Sequence, residues 1–216
     1  MAAKKYRINT PIFRGRFMNV FTPKTVEKDD GTTQEQFQCT ALFPKGEMLK
    51  EIKNLCTELM TDKFGLDVSK WPKPFSEAHP KGWRKPWFDQ ASKDAANPDN
   101  HGEKTYEGFE SGALAMNMKS NYPIDIVLQN PEVKAMPKDI YDGAYYIAHI
   151  DVYWYGDNPK AKGNKGIAVG VLCIQKVREG EPLTAAGVKA ASVFKAVAVD
   201  TSQGAGAVFE EDDPMA

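Results

Sequence analysis

Two stretches early in the chain carry the apolar density of strands. Residues 11–21 read PIFRGRFMNVF and residues 35–43 read EQFQCTALF, with polar residues between them. Gly15 inside the first predicts a bulge or a sharp bend, as small barrels need. From Lys45 to Lys63 the pattern changes period: Met48, Leu49, Ile52, Leu55, Cys56, Leu59 and Met60 recur at three- and four-residue spacing. That spacing, opened after Pro44 and closed near Gly65, predicts an amphipathic helix. Three further strand-like runs follow: GALAMNMKS at 112–120, AYYIAHIDVYWY at 144–155 and KGIAVGVLCIQKV at 165–177. Turn-rich text such as DNPKAKGN joins them. Strand, strand, helix and then several strands, with no alternation of strand and helix, points to a mainly β fold: a small barrel decorated with one helix. No internal repeat at solenoid spacing occurs.

Two regions fall outside that rhythm. Residues 66–110 hold Pro72, Pro74, Pro80, Pro86 and Pro98, which predicts a long, irregular, Pro/Trp-rich loop. From Glu179 onward the chain becomes rich in Ala, Gly and Ser, which reads as a flexible tether, although VFKAVAV has the makings of one more short strand. The expected division is a domain over 1–183 and a tether with an acidic tail over 184–216.

Composition sharpens this. With 216 residues and 42% hydrophobic content the chain supports one sizeable core. Its formal charge is −1, but removing Glu210, Glu211, Asp212 and Asp213 leaves 25 acids against 28 bases, a body of +3. Cys39, Cys56 and Cys173 are widely spaced and each sits among apolar residues, which predicts buried thiols in a reducing cytoplasm rather than a disulfide framework. Neither an apolar leader nor a run of about 18 apolar residues occurs, so no membrane partner and a cytoplasmic location are expected.

Candidate chemistry lies in rings and cations. In AYYIAHIDVYWY the even positions (Ala144, Tyr146, Ala148, Ile150, Val152, Trp154) form a core-like face. The odd positions mix Tyr145, Ile147, His149, Asp151, Tyr153 and Tyr155. An exposed row of rings on a strand is a platform for unpaired bases, so Tyr145, His149, Tyr153 and Tyr155 are stacking candidates. A strand covered on both faces would instead make the tyrosines ordinary core residues. The loop segment KWPKPFSEAHPKGWRKPWF interleaves Trp83 and Trp87 with Lys81, Arg84 and Lys85, and residues 62–93 hold seven bases and four acids. Tryptophans that pin the loop to the barrel while the cations reach solvent are an equal reading. Arg14 and Arg16 belong to a second basic cluster with Lys4, Lys5 and Arg7.

Catalytic signals are poor. His79, His101 and His149 are scattered, and there is no CxxC, HExxH or Gly-rich nucleotide loop, so no catalytic residue, metal or cofactor is expected. Asp125 and Asp151 keep open a metal-dependent nuclease, and the tyrosine face keeps open a protein-binding adaptor on a β scaffold.

Residues 140–183 add a resemblance. DGAYYIAHIDVYWY, GNKGIAVGVLCIQKV and REGEPL resemble the single-stranded DNA-binding proteins of tailed bacteriophages, and SGALAMNMKS at 111–120 is compatible with that family. The resemblance implies an OB-fold-like barrel that coats unpaired DNA during phage replication, recombination and repair. It further implies an acidic C-terminal tail that contacts replication proteins such as a DNA polymerase or a primase/helicase. Pairing of two chains into a homodimer is compatible with it.

On this reading Tyr145, His149, Tyr153, Tyr155, Trp83 and Trp87 meet bases, and Arg14, Arg16, Lys81, Arg84 and Lys85 meet phosphates, with Lys119 and Lys165 as further phosphate contacts. Phe209, Glu210, Glu211, Asp212 and Asp213 form the partner-binding tail. Family tails often finish on an aromatic residue, whereas here Phe209 precedes the acids and the chain ends Pro214-Met215-Ala216. A tether of about 30 residues spans about 30 Å, against a body radius of gyration of about 16 Å. The acids are therefore expected to reach the DNA groove and compete with phosphates.

Overall fold

The structure, a computed structural model, describes residues 4–27, 31–92, 107–157 and 164–183, all within a compact unit that runs to Thr184. The tether, the strand expected in VFKAVAV, Phe209 and the acids Glu210, Glu211, Asp212 and Asp213 lie outside the described residues.

In chain order the elements are β1 (Tyr6–Asn9), β2 (Phe13–Glu27), β3 (Thr33–Leu42), α1 (Lys50–Phe64), β4 (Trp87–Asp89), β5 (Leu114–Ser120), β6 (Asp125–Val127), β7 (Tyr145–Trp154) and β8 (Ile167–Arg178). Five of them close a ring. β2 pairs antiparallel with β3, β3 with β5, β7 with β8, and β7 again with β2. The ring closes where β5 meets β8 in parallel, with Lys119 opposite Gly170. β1 extends β7, β6 extends β8, and the short β4 pairs with β5.

Period-two alternation fills the barrel. Tyr146, Ala148, Ile150 and Val152 of β7 point inward and are buried, as the even-position face predicts. They meet Phe13, Cys39, Ala41, Met116, Met118, Val169 and Val171 in one core. The Tyr146 hydroxyl donates to the Tyr141 carbonyl at 2.8 Å, which satisfies the polar end of a ring with no solvent exposure. Helix α1 starts later than the periodicity predicts. Leu49 takes a left-handed φ of 48° and is fully buried, so Met48 and Leu49 belong to the entry turn. Ile52, Cys56, Leu59 and Met60 then form the buried stripe, each large aliphatic side chain contributing about 1.5–3 kcal/mol.

β2 shows why a bulge was needed and corrects its place. A Cβ on Gly15 would lie 2.5 Å from the Tyr146 ring, so glycine there allows close packing. The register slips one step later, between Arg16 and Asn19, and Phe17 carries a left-handed φ of 52°. Asp142 holds that conformation. Its carboxylate accepts the Phe17 N–H at 3.0 Å, the Met18 N–H at 2.9 Å and the Arg16 guanidinium at 2.7 Å.

The cysteine expectation also needs a correction. Cys39 and Cys56 are buried, and burial pushes both thiols up to about 12. Cys173 is exposed, because the register of β8 against β7 shifts next to it and Leu172 and Cys173 both face solvent.

Candidate nucleic-acid interface

The outer face of β3 and β5, beside β2, carries polar side chains. Odd positions of β3 (Cys39, Ala41) enter the core, so the even positions Gln36, Gln38 and Thr40 face away from it. In β5, Met116 and Met118 go in while Asn117 and Lys119 are exposed. Register places Gln38 beside Lys119 and Thr40 beside Asn117, and Thr40 Oγ1 donates to Asn117 Oδ1 at 2.8 Å. Phe17, Lys24, Gln38, Thr40, Asn117 and Lys119 line a groove of about 300 Å³ there. Phe17 reaches it because of the bulge, with the Arg16 guanidinium 4.7 Å from its ring centroid.

The groove has two distinct ends. At one, Gln36 Nε2 lies 3.5 Å from Asn121 Oδ1, while Gln36 Oε1 is buried with no hydrogen-bond partner among the described residues. At the other, Leu42, Ala115, Phe109 and Leu183 form a small apolar cluster on which Phe17 and Phe88 pack. The groove therefore carries the amides of Gln38 and Asn117, the second bonded to the buried Thr40 hydroxyl, with Lys24, Lys119 and the Phe17 ring: hydrogen-bonding groups for bases, cations for phosphates and a ring for stacking.

The predicted site residues are distributed differently. Lys119 lies in the groove. Arg16 does not reach solvent: it is 9% exposed and paired with Asp142, so its charge stabilises the bulge and is not presented to a phosphate. Arg14 donates to the carbonyls of Gly143 at 3.1 Å and Glu181 at 2.7 Å. Tyr145 is half-buried with the Arg178 guanidinium 3.4 Å above its ring, and His149 Nδ1 is 2.8 Å from Asn9 Oδ1. Tyr153 is 46% exposed beside Asp151, and burial pushes its hydroxyl up. Tyr155 lies beside Gly166, where its hydroxyl would be 2.7 Å from an added Cβ. Trp83 and Trp87 are half-buried and pack against the main core, which is the pinning role of the two read from the loop. Lys81, Arg84 and Lys85 are exposed on that loop, and Lys165 is half-exposed between β7 and β8. Asp125 is held by Lys134 and Asp151 faces Arg7 at 3.8 Å; no cluster of three metal-ligating side chains occurs among the described residues.

Phe17, Lys24, Gln38, Thr40 and Asn117, which line the groove with Lys119, were not among the residues expected to meet DNA. For Gln38, Thr40 and Asn117 a signal was present in the alternation of EQFQCT and AMNMK, where polar side chains interleave with Phe37, Cys39, Met116 and Met118; Lys24 and Phe17 lie outside both runs.

A barrel of five strands in the order β2-β3-β5-β8-β7, closed by a parallel pair and bearing a polar groove on its second and third strands, is an oligonucleotide-binding fold. Comparison with known proteins agrees. The family described as Enterobacter phage Enc34, ssDNA-binding protein, matches residues 6–204, and the chain belongs to that family. The single-stranded DNA-binding protein from bacteriophage Enc34 in complex with ssDNA superposes with a TM-score of 0.57 at 15% identity, over 82% of this chain and 89% of that one. The same phage protein without DNA gives 0.55 at 15% identity, over 88% and 90%. The gp2.5 single-stranded DNA-binding protein of bacteriophage T7 gives 0.52 at 10% identity, over 96% and 100%. No curated protein matches the chain closely enough to count as a relative.

Proposed function

We propose that this protein binds single-stranded DNA, without strong sequence preference, in the groove on β2, β3 and β5. The observation that carries the reading is the groove in which Gln38, Asn117 and Lys119 lie side by side over the buried Thr40, with Phe17 and Lys24 also lining it, on the face where this fold takes its ligands. Lysines on a single strand act through phosphates, and amides and hydroxyls accept or donate to any base edge, so affinity outweighs sequence discrimination. The arrangement has binding groups and no converging acid, base and nucleophile among the described residues, and we read the protein as non-catalytic.

In this reading the binding serves phage DNA replication, recombination and repair in the host cytoplasm; among the described residues no helix is long and apolar enough to cross a membrane. The domain ends near residue 183, and the acids Glu210, Glu211, Asp212 and Asp213, with Phe209, recruit replication proteins and compete with DNA phosphates for the body. Binding of a labelled single strand at a series of salt concentrations tests the core of the proposal. Log affinity should fall with log salt at about −0.7 per phosphate neutralised. Absence of binding, or a complex indifferent to salt, overturns it. Removal of residues 208–216 should tighten DNA binding, and unchanged affinity would count against the competition; sedimentation of the free protein reads whether two chains pair.

A further inference from the structure

The Pro/Trp-rich loop has a concave cationic surface that the groove does not use. Lys73, His79, Lys81 and Lys165 line a pocket of about 380 Å³, floored by Gly82 and prolines. The pocket's walls are fixed by backbone. Phe75 N–H donates to Trp83 O at 2.8 Å, Trp83 N–H to Lys73 O at 3.0 Å and Gly82 N–H to His79 O at 2.8 Å. A Cβ on Gly82 would lie 2.4 Å from the Pro74 carbonyl oxygen, so the two arms of the loop touch there. Trp83 and Trp87 anchor the loop on the core. Arg84 N–H donates to Lys165 O at 2.9 Å and Ile167 N–H to Arg84 O at 3.0 Å, which ties the loop to the β7–β8 connection.

None of Lys73, Lys81 and Lys165 has a carboxylate partner among the described residues, in contrast to Lys4, Lys63, Lys70, Lys134 and Lys176. Three unpaired ammonium groups around one hollow repel each other, and an anion relieves that repulsion. Its neighbour Arg84 is itself exposed, stacked 4.8 Å over the half-exposed ring of Phe75. From Gly82 the chain runs directly into β4, whose Trp87 pairs with Met116 of β5. Five residues span at most about 18 Å, so the pocket lies within a short stretch of the groove strand. It also includes Lys165, which lies just before β8, and in this fold the connection between the last two barrel strands flanks the ligand face.

We propose that this pocket is a second phosphate site for the same DNA strand, engaged only when the strand extends beyond the groove. The inference rests on the groove reading, and strand length separates the two. Oligothymidylates from about 4 to about 16 nucleotides bracket the span of one such fold. The full-length protein and its K73Q/K81Q/K165Q variant are titrated with each length at several salt concentrations. The variant should bind the shortest strands that wild type binds with unchanged affinity. For the longest strand it should lose about tenfold, with a salt slope shallower by about 0.7 for each phosphate released. K73R/K81R/K165R keeps the charge and should bind every length as wild type does.

Equal affinity and slope for the longest strand in the K73Q/K81Q/K165Q variant and wild type, or an equal loss at every length, overturns the second site. Wild-type protein that binds no length overturns the groove reading as well.

Discussion

On the β7–β8 side of the barrel the outward side chains have met one another: Arg178 covers Tyr145, Asn9 holds His149 and Arg7 faces Asp151. On the β2–β3–β5 side, Gln38 and Lys119 have no such partner among the described residues, Gln36 keeps an unmet acceptor, and a groove lies open between them. Both faces belong to one sheet and share the same alternation of core and solvent. The first is richer in rings and the second is richer in unmet hydrogen-bonding capacity. A group already paired has to lose its partner before it can bind, so on the groove reading Gln38 and Lys119 are readier to take a ligand than the paired groups of β7 or than Thr40 and Asn117, which bond each other.

The sharpest way to break this comparison is to remove what shapes the open face. Asp142→Ala leaves Arg16 buried without its counter-charge and releases the amides of Phe17 and Met18. Loss of one partner of a buried pair costs about 3–5 kcal/mol, so thermal unfolding should show a large drop in midpoint. An unchanged midpoint would mean that the bulge is not held by this carboxylate. Next in size is Phe17→Ala, which should weaken single-strand binding by about 1–3 kcal/mol if the ring stacks a base; wild-type affinity would remove Phe17 from the interface. Lys24→Gln with Lys119→Gln should reduce the salt slope by about 0.7 for each phosphate left without its lysine, and an unaltered slope would place the phosphates elsewhere. On the opposite face, Tyr145→Ala should leave DNA affinity within about 0.5 kcal/mol of wild type, as expected of a residue outside the interface. A loss as large as that of Phe17→Ala would reverse the order of the two faces.

The smallest effect is one of pH. Lys176, and then Tyr141, hold the Glu179 carboxyl below its usual range. A lowered carboxylate contributes stability that is present above its unfolded value and is lost as pH falls through its folded value. Glu179→Gln should therefore remove a slight acid-side loss of midpoint below the ordinary carboxylate range. An identical acid limb in both proteins would contradict the pairing; the group is mostly exposed, so solvent screening keeps the effect small.

Much of the barrel was legible. Apolar, β-rich runs marked five of its strands, β7 also by its period of two, and helical spacing marked α1, because each buries one face against the core. β1, β4 and β6 were not, since strands of four, three and three residues are too short to show a period. Several residues of the motifs that carry the family resemblance hold the scaffold together. Asp142 braces the bulge, the Gly143 and Glu181 carbonyls receive Arg14, and Leu183 packs in the apolar cluster at the groove's end. Arg16 misled because a cation's exposure depends on a partner 126 residues away. The groove itself was written in EQFQCT and AMNMK, but glutamine and asparagine on a strand look like ordinary solvent-facing residues until the register sets them side by side.

The most direct test follows backbone amide chemical shifts of the full-length protein as a short oligothymidylate is added. The groove account predicts that the perturbed amides cluster at Phe17, Lys24, Gln38, Thr40, Asn117 and Lys119, with Tyr145, His149 and Tyr153 little changed. Perturbation concentrated along β7 with β3 and β5 unmoved would contradict it.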